Sequence, residues 1–278
     1  MFYVAYFGLV GVTIPFFPVW LDANGITPED VGIIIGFSTL IRALVNPIFA
    51  HAADRSGAHK LIIVVLTMSS TIVFIFYFFS DSFWPIFLVT ILFTCAWGAT
   101  QPIAESLTTI KLKENKLDYG RIRLWGSVAF IISVTTSGEI VERYGPEIML
   151  NLIMTFVILM LISVIFLPKL PIVKIANVKY SVIPLLGNKK FLLVLLAAAL
   201  IQSSHAVYYG FSTIHWQKSG ISERIIGLLW AEGVIAEIIL FTLSTKLLKI
   251  LSPIKLIIIG GIAGLIRWFG TGLDDNLT

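Results

Sequence analysis

Charged side chains are scarce in this chain. Only 13% of its 278 residues are Asp, Glu, Lys or Arg, while 57% are hydrophobic, against about a quarter charged in a typical soluble domain. A water-soluble globular fold does not fit that balance, nor does intrinsic disorder, which needs low hydrophobicity. Cysteine is reduced to Cys95, so a disulfide scaffold is excluded. His51 and His59 stand eight residues apart with no carboxylate or cysteine at ligand spacing, so no metal site is expected. The chain lacks a nucleotide-binding glycine loop, which removes an ATP-driven pump and leaves no cofactor implied. It also lacks a basic stretch before its first apolar run, which therefore reads as a retained span and not as a cleaved signal. The class that remains is a polytopic membrane protein.

What is present supports that class. Apolar runs cover about Phe2 to Leu21, Val31 to Ala50, Leu61 to Phe79, Trp84 to Ile110, Leu124 to Ile140, Ile148 to Leu167, Phe191 to Trp216, Ile225 to Leu243 and Ile254 to Phe269. They lack the strict alternation of an outer-membrane barrel and most are too long for strands, so they must be helices. Nine spans at about 20 residues each use roughly 180 residues, which leaves no room for a folded extramembrane domain. The expected fold class is all-α, polytopic.

The net charge of +4 would suggest a nucleic-acid partner in a soluble protein. Its placement suggests a membrane topology and no nucleic acid. Alternate loops collect fifteen Lys and Arg, from Arg55 and Lys60 through Lys111 to Arg123 and Lys169 to Lys190 to Lys246, Lys249 and Lys255. The opposite loops hold only Arg143, Lys218 and Arg224, and carry Asp22, Glu29, Asp30, Asp81, Glu142, Glu147 and Glu223. The positive-inside bias places the basic loops and the N-terminus in the cytoplasm of a multi-pass protein.

The chain also repeats itself. Trp20 to Thr27 followed by Gly32 recurs as Trp216 to Ser222 followed by Gly227, and Lys60-Leu61-Ile62-Ile63 recurs as Lys255-Leu256-Ile257-Ile258. Gly25 to Gly220, Gly32 to Gly227 and Lys60 to Lys255 all give an offset of 195. Spans one to three thus correspond to spans seven to nine in the same orientation, a parallel repeat of a six-helix unit. The expected division is residues 1–168 as a six-helix bundle, 169–190 as a cytoplasmic linker, and 191–278 as the first three helices of a second bundle. Two such halves would need about 390 residues, so a truncated chain that transports nothing is one alternative.

Two further segments carry a family resemblance. Ala50-His-Ala-Ala-Asp54-Arg55-Ser-Gly57-Ala-His-Lys60 resembles the G-x-x-x-D-R-x-G loop of the major facilitator superfamily, with Ala50 in place of its first glycine. Leu117-Asp-Tyr-Gly-Arg121-Ile-Arg123-Leu-Trp125-Gly126-Ser-Val-Ala-Phe130 resembles the loop-to-span-five segment of that superfamily's phenylpropionate permease-like branch. Gly227 to Ala231, Glu237-Ile238 and Arg267-Trp268 are similar to that branch as well. The resemblance implies nine of twelve helices of a secondary transporter of a small organic solute, working by alternating access and often driven by protons. It also implies a gating role for Asp54, Arg55 and Gly57, together with Arg121 and Arg123.

Ionisable groups at membrane depth are costly and mark candidate functional sites. Arg42 and Glu237 lie 195 residues apart, so pseudo-symmetric bundles would present them to one cavity as an ion pair. Glu105 is an alternative proton site. His205 and Tyr209 sit in a polar patch with Gln202, Ser203 and Ser204. Arg267 reads as a residue reaching toward the membrane surface. The aromatic residues of the first span suit a planar solute, although lipid-facing aromatics are ordinary. The function expected from these residues is proton symport of an aromatic carboxylate such as phenylpropionate across a bacterial inner membrane by a monomer. A nucleoside or sugar symporter and, in a different class, a membrane-embedded transferase are the alternatives.

Overall fold

The computed structural model describes residues 1–115, 119–168 and 187–273. Among the described residues every regular element is helical: α1 (Phe2–Ala23), α2 (Pro28–Ser56), α3 (His59–Ile75), α4 (Phe83–Gly98), α5 (Thr100–Asn115), α6 (Tyr119–Tyr144), α7 (Met149–Ile165), α8 (Lys189–Ser203), α9 (Ala206–Lys218), α10 (Glu223–Ile250) and α11 (Pro253–Leu273). These make nine rods, because α4 with α5 and α8 with α9 are broken single spans, Phe83–Ile110 and Lys189–Lys218. Eight rods are long and apolar enough to cross a membrane. The ninth, α10, has the length at 28 residues but carries several charges. The all-α class and the span positions agree with the sequence, and most of the linker 169–190 lies outside the described residues.

Both breaks have local causes. Pro102 has no N–H to give the Gly98 carbonyl, and the rod is interrupted at Ala99. The second rod parts at Ser204-His205, where the Ser204 hydroxyl and a His205 ring nitrogen bond the Ile201 carbonyl in competition with the helix.

The turn of the 195-residue repeat is formed twice with the same backbone bonds. Gly25 and Gly220 both take a left-handed conformation, φ 75° and 84°, which glycine adopts without steric cost. Around them Gly25 N–H bonds the Asp22 carbonyl and Ile26 that of Leu21, while Gly220 bonds that of Gln217 and Ile221 that of Trp216. Thr27 and Ser222 then open the next helix as N-caps, residue types favoured there.

The core is centred on α1, which packs against α6, α7 and α9 and fully buries Tyr6, Leu9, Val12 and Phe16. α3 packs on α4 and α7, and α2 on α4. The residues on either side of the linker meet mainly where α10 lies along α6. There glycine permits backbone contact: a Cβ on Gly138 would run into the Glu223 carbonyl, and one on Gly227 would stand 2.7 Å from the Val134 oxygen. Small residues that let helices approach closely are the usual adhesive between apolar helices in lipid. This seam lies at the end of the molecule that carries the acidic loops.

Candidate functional site

Between α1 and α6 on one side and α9 to α11 on the other lies a cavity of about 290 Å³. Phe7, Arg123, Ser127 and Phe130 line one wall; His205, Tyr208, Tyr209, Trp230, Glu237 and Arg267 line the other. Three of the expected residues, His205, Tyr209 and Glu237, therefore share one site. His205 caps the second half of its broken rod and meets Trp268 edge to face at 5.2 Å. Tyr209 stacks on Trp230 at 5.8 Å, and the Trp230 indole donates to Thr213 at 3.1 Å, which fixes the ring.

Two arginines enter this cavity that the sequence assigned elsewhere. The Arg123 guanidinium lies 3.7 Å from the centre of the Phe7 ring. Arg267 lies 4.5 Å from Tyr208 and 4.8 Å from Trp268. Arg267 thus turns inward over aromatic faces instead of reaching for the membrane surface. Cations so placed are held by ring quadrupoles. A guanidinium offers five donors in a fork that matches a carboxylate.

Arg42 has a different environment from the one expected. Its Nη2 donates to the Tyr6 hydroxyl at 2.8 Å and to Gln101 Oε1 at 3.3 Å, and its guanidinium lies 5.2 Å from the Trp97 ring centre. Gln101 Nε2 in turn donates to Glu105 Oε1 at 3.1 Å. The expected Arg42–Glu237 ion pair is not found among the described residues, because α1, α4 and α5 already engage the guanidinium. Equivalent positions in a repeat fix comparable depth, but the rotation of each helix decides which way the side chain points. Glu237 instead shares its cavity with Arg123 and Arg267.

The gating motif is also rearranged locally. Gly57 ends α2 in the left-handed conformation that a C-terminal cap requires. Asp54 pairs with His59 Nε2 at 3.0 Å, Arg55 is exposed, and the side chain of Arg121 lies outside the described residues. Lys60 donates to the carbonyls of Ile165 at 2.8 Å and Leu167 at 2.5 Å, closing the end of α7. At the opposite end, residues that the sequence left as solvated surface meet between α1 and α9 and across the α6–α10 seam. Lys218 pairs with Asp22 at 3.3 Å, Arg224 with Glu139 at 3.4 Å, and the Arg224 backbone N–H donates to Glu142 at 3.0 Å. Gly227, singled out only as part of the repeat, was the available signal for this seam. Among the described residues no cluster of His, Cys, Asp and Glu could hold a metal ion.

Comparison with known proteins is consistent with this architecture. Residues 1–277 match the MFS_1 like family. The probable 3-phenylpropionic acid transporter of Escherichia coli strain K12 is 32% identical over 273 residues, covering 96% of this chain and 71% of that protein. The uncharacterized transporter YwbF of Bacillus subtilis strain 168 is 24% identical, covering 96% of this chain and 67% of that one. In three dimensions the chain is similar to the nucleoside transporter NupG (D323A mutant), with a TM-score of 0.75, 15% identity, and coverage of 89% of this chain and 67% of that one.

Proposed function

The chain belongs to the MFS_1 like family, a family of membrane-spanning transporters, and from that premise we propose that it carries an aromatic carboxylate with a proton, by alternating access between residues 1–168 and 191–278. The linker 169–190 joins the two units, and the basic loops face the cytoplasm of a bacterial inner membrane.

One observation carries the choice of solute: the cavity places Arg123 and Arg267 on opposite walls, each lying over aromatic rings. Its 290 Å³ falls just below the roughly 300–1,000 Å³ that ligand pockets span, a size suited to one ring. Aromatic faces receive the ring. The guanidinium groups receive the carboxylate, and Glu237 supplies a counter-charge when the site is empty. The 32% identity to a probable 3-phenylpropionic acid transporter supports the same class.

Uptake of radiolabelled 3-phenylpropionate into proteoliposomes, with and without an inward proton gradient, tests the proposal. Gradient-stimulated uptake that Arg123→Ala and Arg267→Ala abolish is the expected result. Wild-type uptake in both variants, or accumulation of uridine or maltose in place of the acid, would overturn it.

A further inference from the structure

The break between α8 and α9 deprives one carbonyl of the donor that helix geometry would supply. The His205 backbone N–H bonds the Gln202 carbonyl at 3.2 Å, three residues back, and so passes over that of Ile201. Side chains take its place. The Ser204 hydroxyl lies 2.7 Å from the Ile201 oxygen, and His205 Nδ1 lies 2.9 Å from it. Ser204 Oγ also accepts the Trp268 indole N–H at 3.0 Å, which leaves its one hydrogen for the carbonyl.

These contacts assign the histidine tautomer. A carbonyl oxygen only accepts, so the ring nitrogen bonded to it carries a hydrogen. Ser204 Oγ, 3.3 Å from Nδ1, has a lone pair to offer the same hydrogen. With Nδ1 protonated, the neutral imidazole keeps its lone pair on Nε2. The ring is held edge to face on Trp268 at 5.2 Å and lies 5.8 Å from Tyr209, and the residue is part of the cavity wall. Nε2 makes no hydrogen bond among the described residues, so the wall presents an acceptor whose partner the protein does not supply.

We propose that His205 is a specificity-determining residue whose Nε2 accepts a hydroxyl group on the solute's aromatic ring, so that hydroxyphenyl carboxylates are the preferred solutes. The inference rests on the aromatic-carboxylate reading of the cavity and narrows it. A bare phenyl ring has no hydrogen to donate. Nε2 facing such a ring loses water and gains nothing, and a buried acceptor left unmatched costs more than a typical bond contributes. A ring hydroxyl supplies the missing hydrogen while the carboxylate goes to the guanidinium groups, which only donate. Glu237, the charged acceptor of the same wall, is the rival for that hydroxyl, and variants at His205 separate the two.

The test is titration calorimetry of the purified protein in detergent with 3-phenylpropionate, its meta- and para-hydroxy derivatives and its para-fluoro derivative, whose substituent cannot donate. At least one hydroxy acid should bind the wild type about 5- to 150-fold more tightly than the bare acid, the ratio for a buried acceptor gaining its partner. The fluoro acid should bind like the bare one. His205→Asn retains an N–H for the Ile201 carbonyl and removes Nε2, and it should bring the ratio of hydroxy to bare affinity close to one. His205→Phe should do the same and carries the test if His205→Asn fails to fold; each variant's affinity for the bare acid is its own reference. Equal binding of hydroxy and bare acids by the wild type, or a hydroxyl preference that survives both variants, overturns the role of His205 and leaves the aromatic-carboxylate reading standing. Failure of every one of these acids to bind the wild type overturns that reading and the inference together.

Discussion

Replacing Gly227 by alanine is the smallest change that tests whether the α6–α10 seam must close during transport. A Cβ there stands 2.7 Å from the Val134 oxygen, where ordinary contact begins at 3.4 Å, so the two backbones must part by 0.7 Å (3.4 less 2.7). Overpacking of this kind costs about 1–3 kcal/mol. That cost falls on the closed seam alone, because once α10 has left α6 the added methyl meets nothing. The ratio of closed to open seam should therefore drop about 5- to 150-fold, and tryptophan at the same position should leave no closed form. Nitroxide labels at Tyr144 and Ser219, both exposed at the acidic-loop end, would report the separation by double electron–electron resonance in a Cys95→Ser background. We expect a single short distance in the parent, a mixed distribution in Gly227→Ala and a long distance in Gly227→Trp. Gly138→Ala should resemble Gly227→Ala, since its Cβ meets the Glu223 carbonyl. An unchanged distance in Gly227→Trp would refute the reasoning.

The remaining tests concern the charges. Arg123→Lys and Arg267→Lys keep the charge and lose the planar fork; each should weaken 3-phenylpropionate binding about 10-fold or more, on the basis of roughly 1.5–3 kcal/mol for a charged hydrogen bond, measured by titration calorimetry. Arg42→Ala and Glu237→Gln should each lower radiolabelled uptake, and wild-type transport in both would remove these residues from the mechanism. Arg224→Ala breaks an ion pair that is two-thirds exposed on the arginine side, so it should open the seam by no more than about 1 kcal/mol, an effect that rising salt erases in the parent. Lys60→Ala should lower the thermal midpoint of the purified protein, while Lys60→Arg, which can still donate to the end of α7, should lower it less.

The spans and the repeat were legible because hydropathy and turn chemistry are properties of short segments. A run such as Leu61 to Phe79 can only be a membrane helix, and glycine at 25 and 220 with Thr27 and Ser222 two residues on marks one turn used twice. The partners of the buried charges were not legible. Arg42 and Glu237 share a depth, but Arg42 faces α1, α4 and α5, a fact set by how α2 is rotated against them. Arg123 and Arg267 lie near span ends in the sequence and looked like a gate and an anchor; their long side chains run inward along aromatic faces. Glu142, Lys218 and Arg224 looked like ordinary loop charges because nothing local shows that α6 meets α10 and α1 meets α9 there. Gln101, uncharged, gave no signal beyond its spacing of four residues from Glu105.

The two carbonyls held by Lys60 are among the last of the first bundle before the linker begins. Lys60 stands three residues after Gly57, so these bonds join the end of α7 to the loop of Asp54, Arg55 and Gly57. The lysine is a tether between the α2–α3 loop and the end of α7, and under the proposed alternating access a displacement of α7 would pull on that loop. Slackening the tether by truncating Lys60 should leave both bundles folded and their movements less well synchronised.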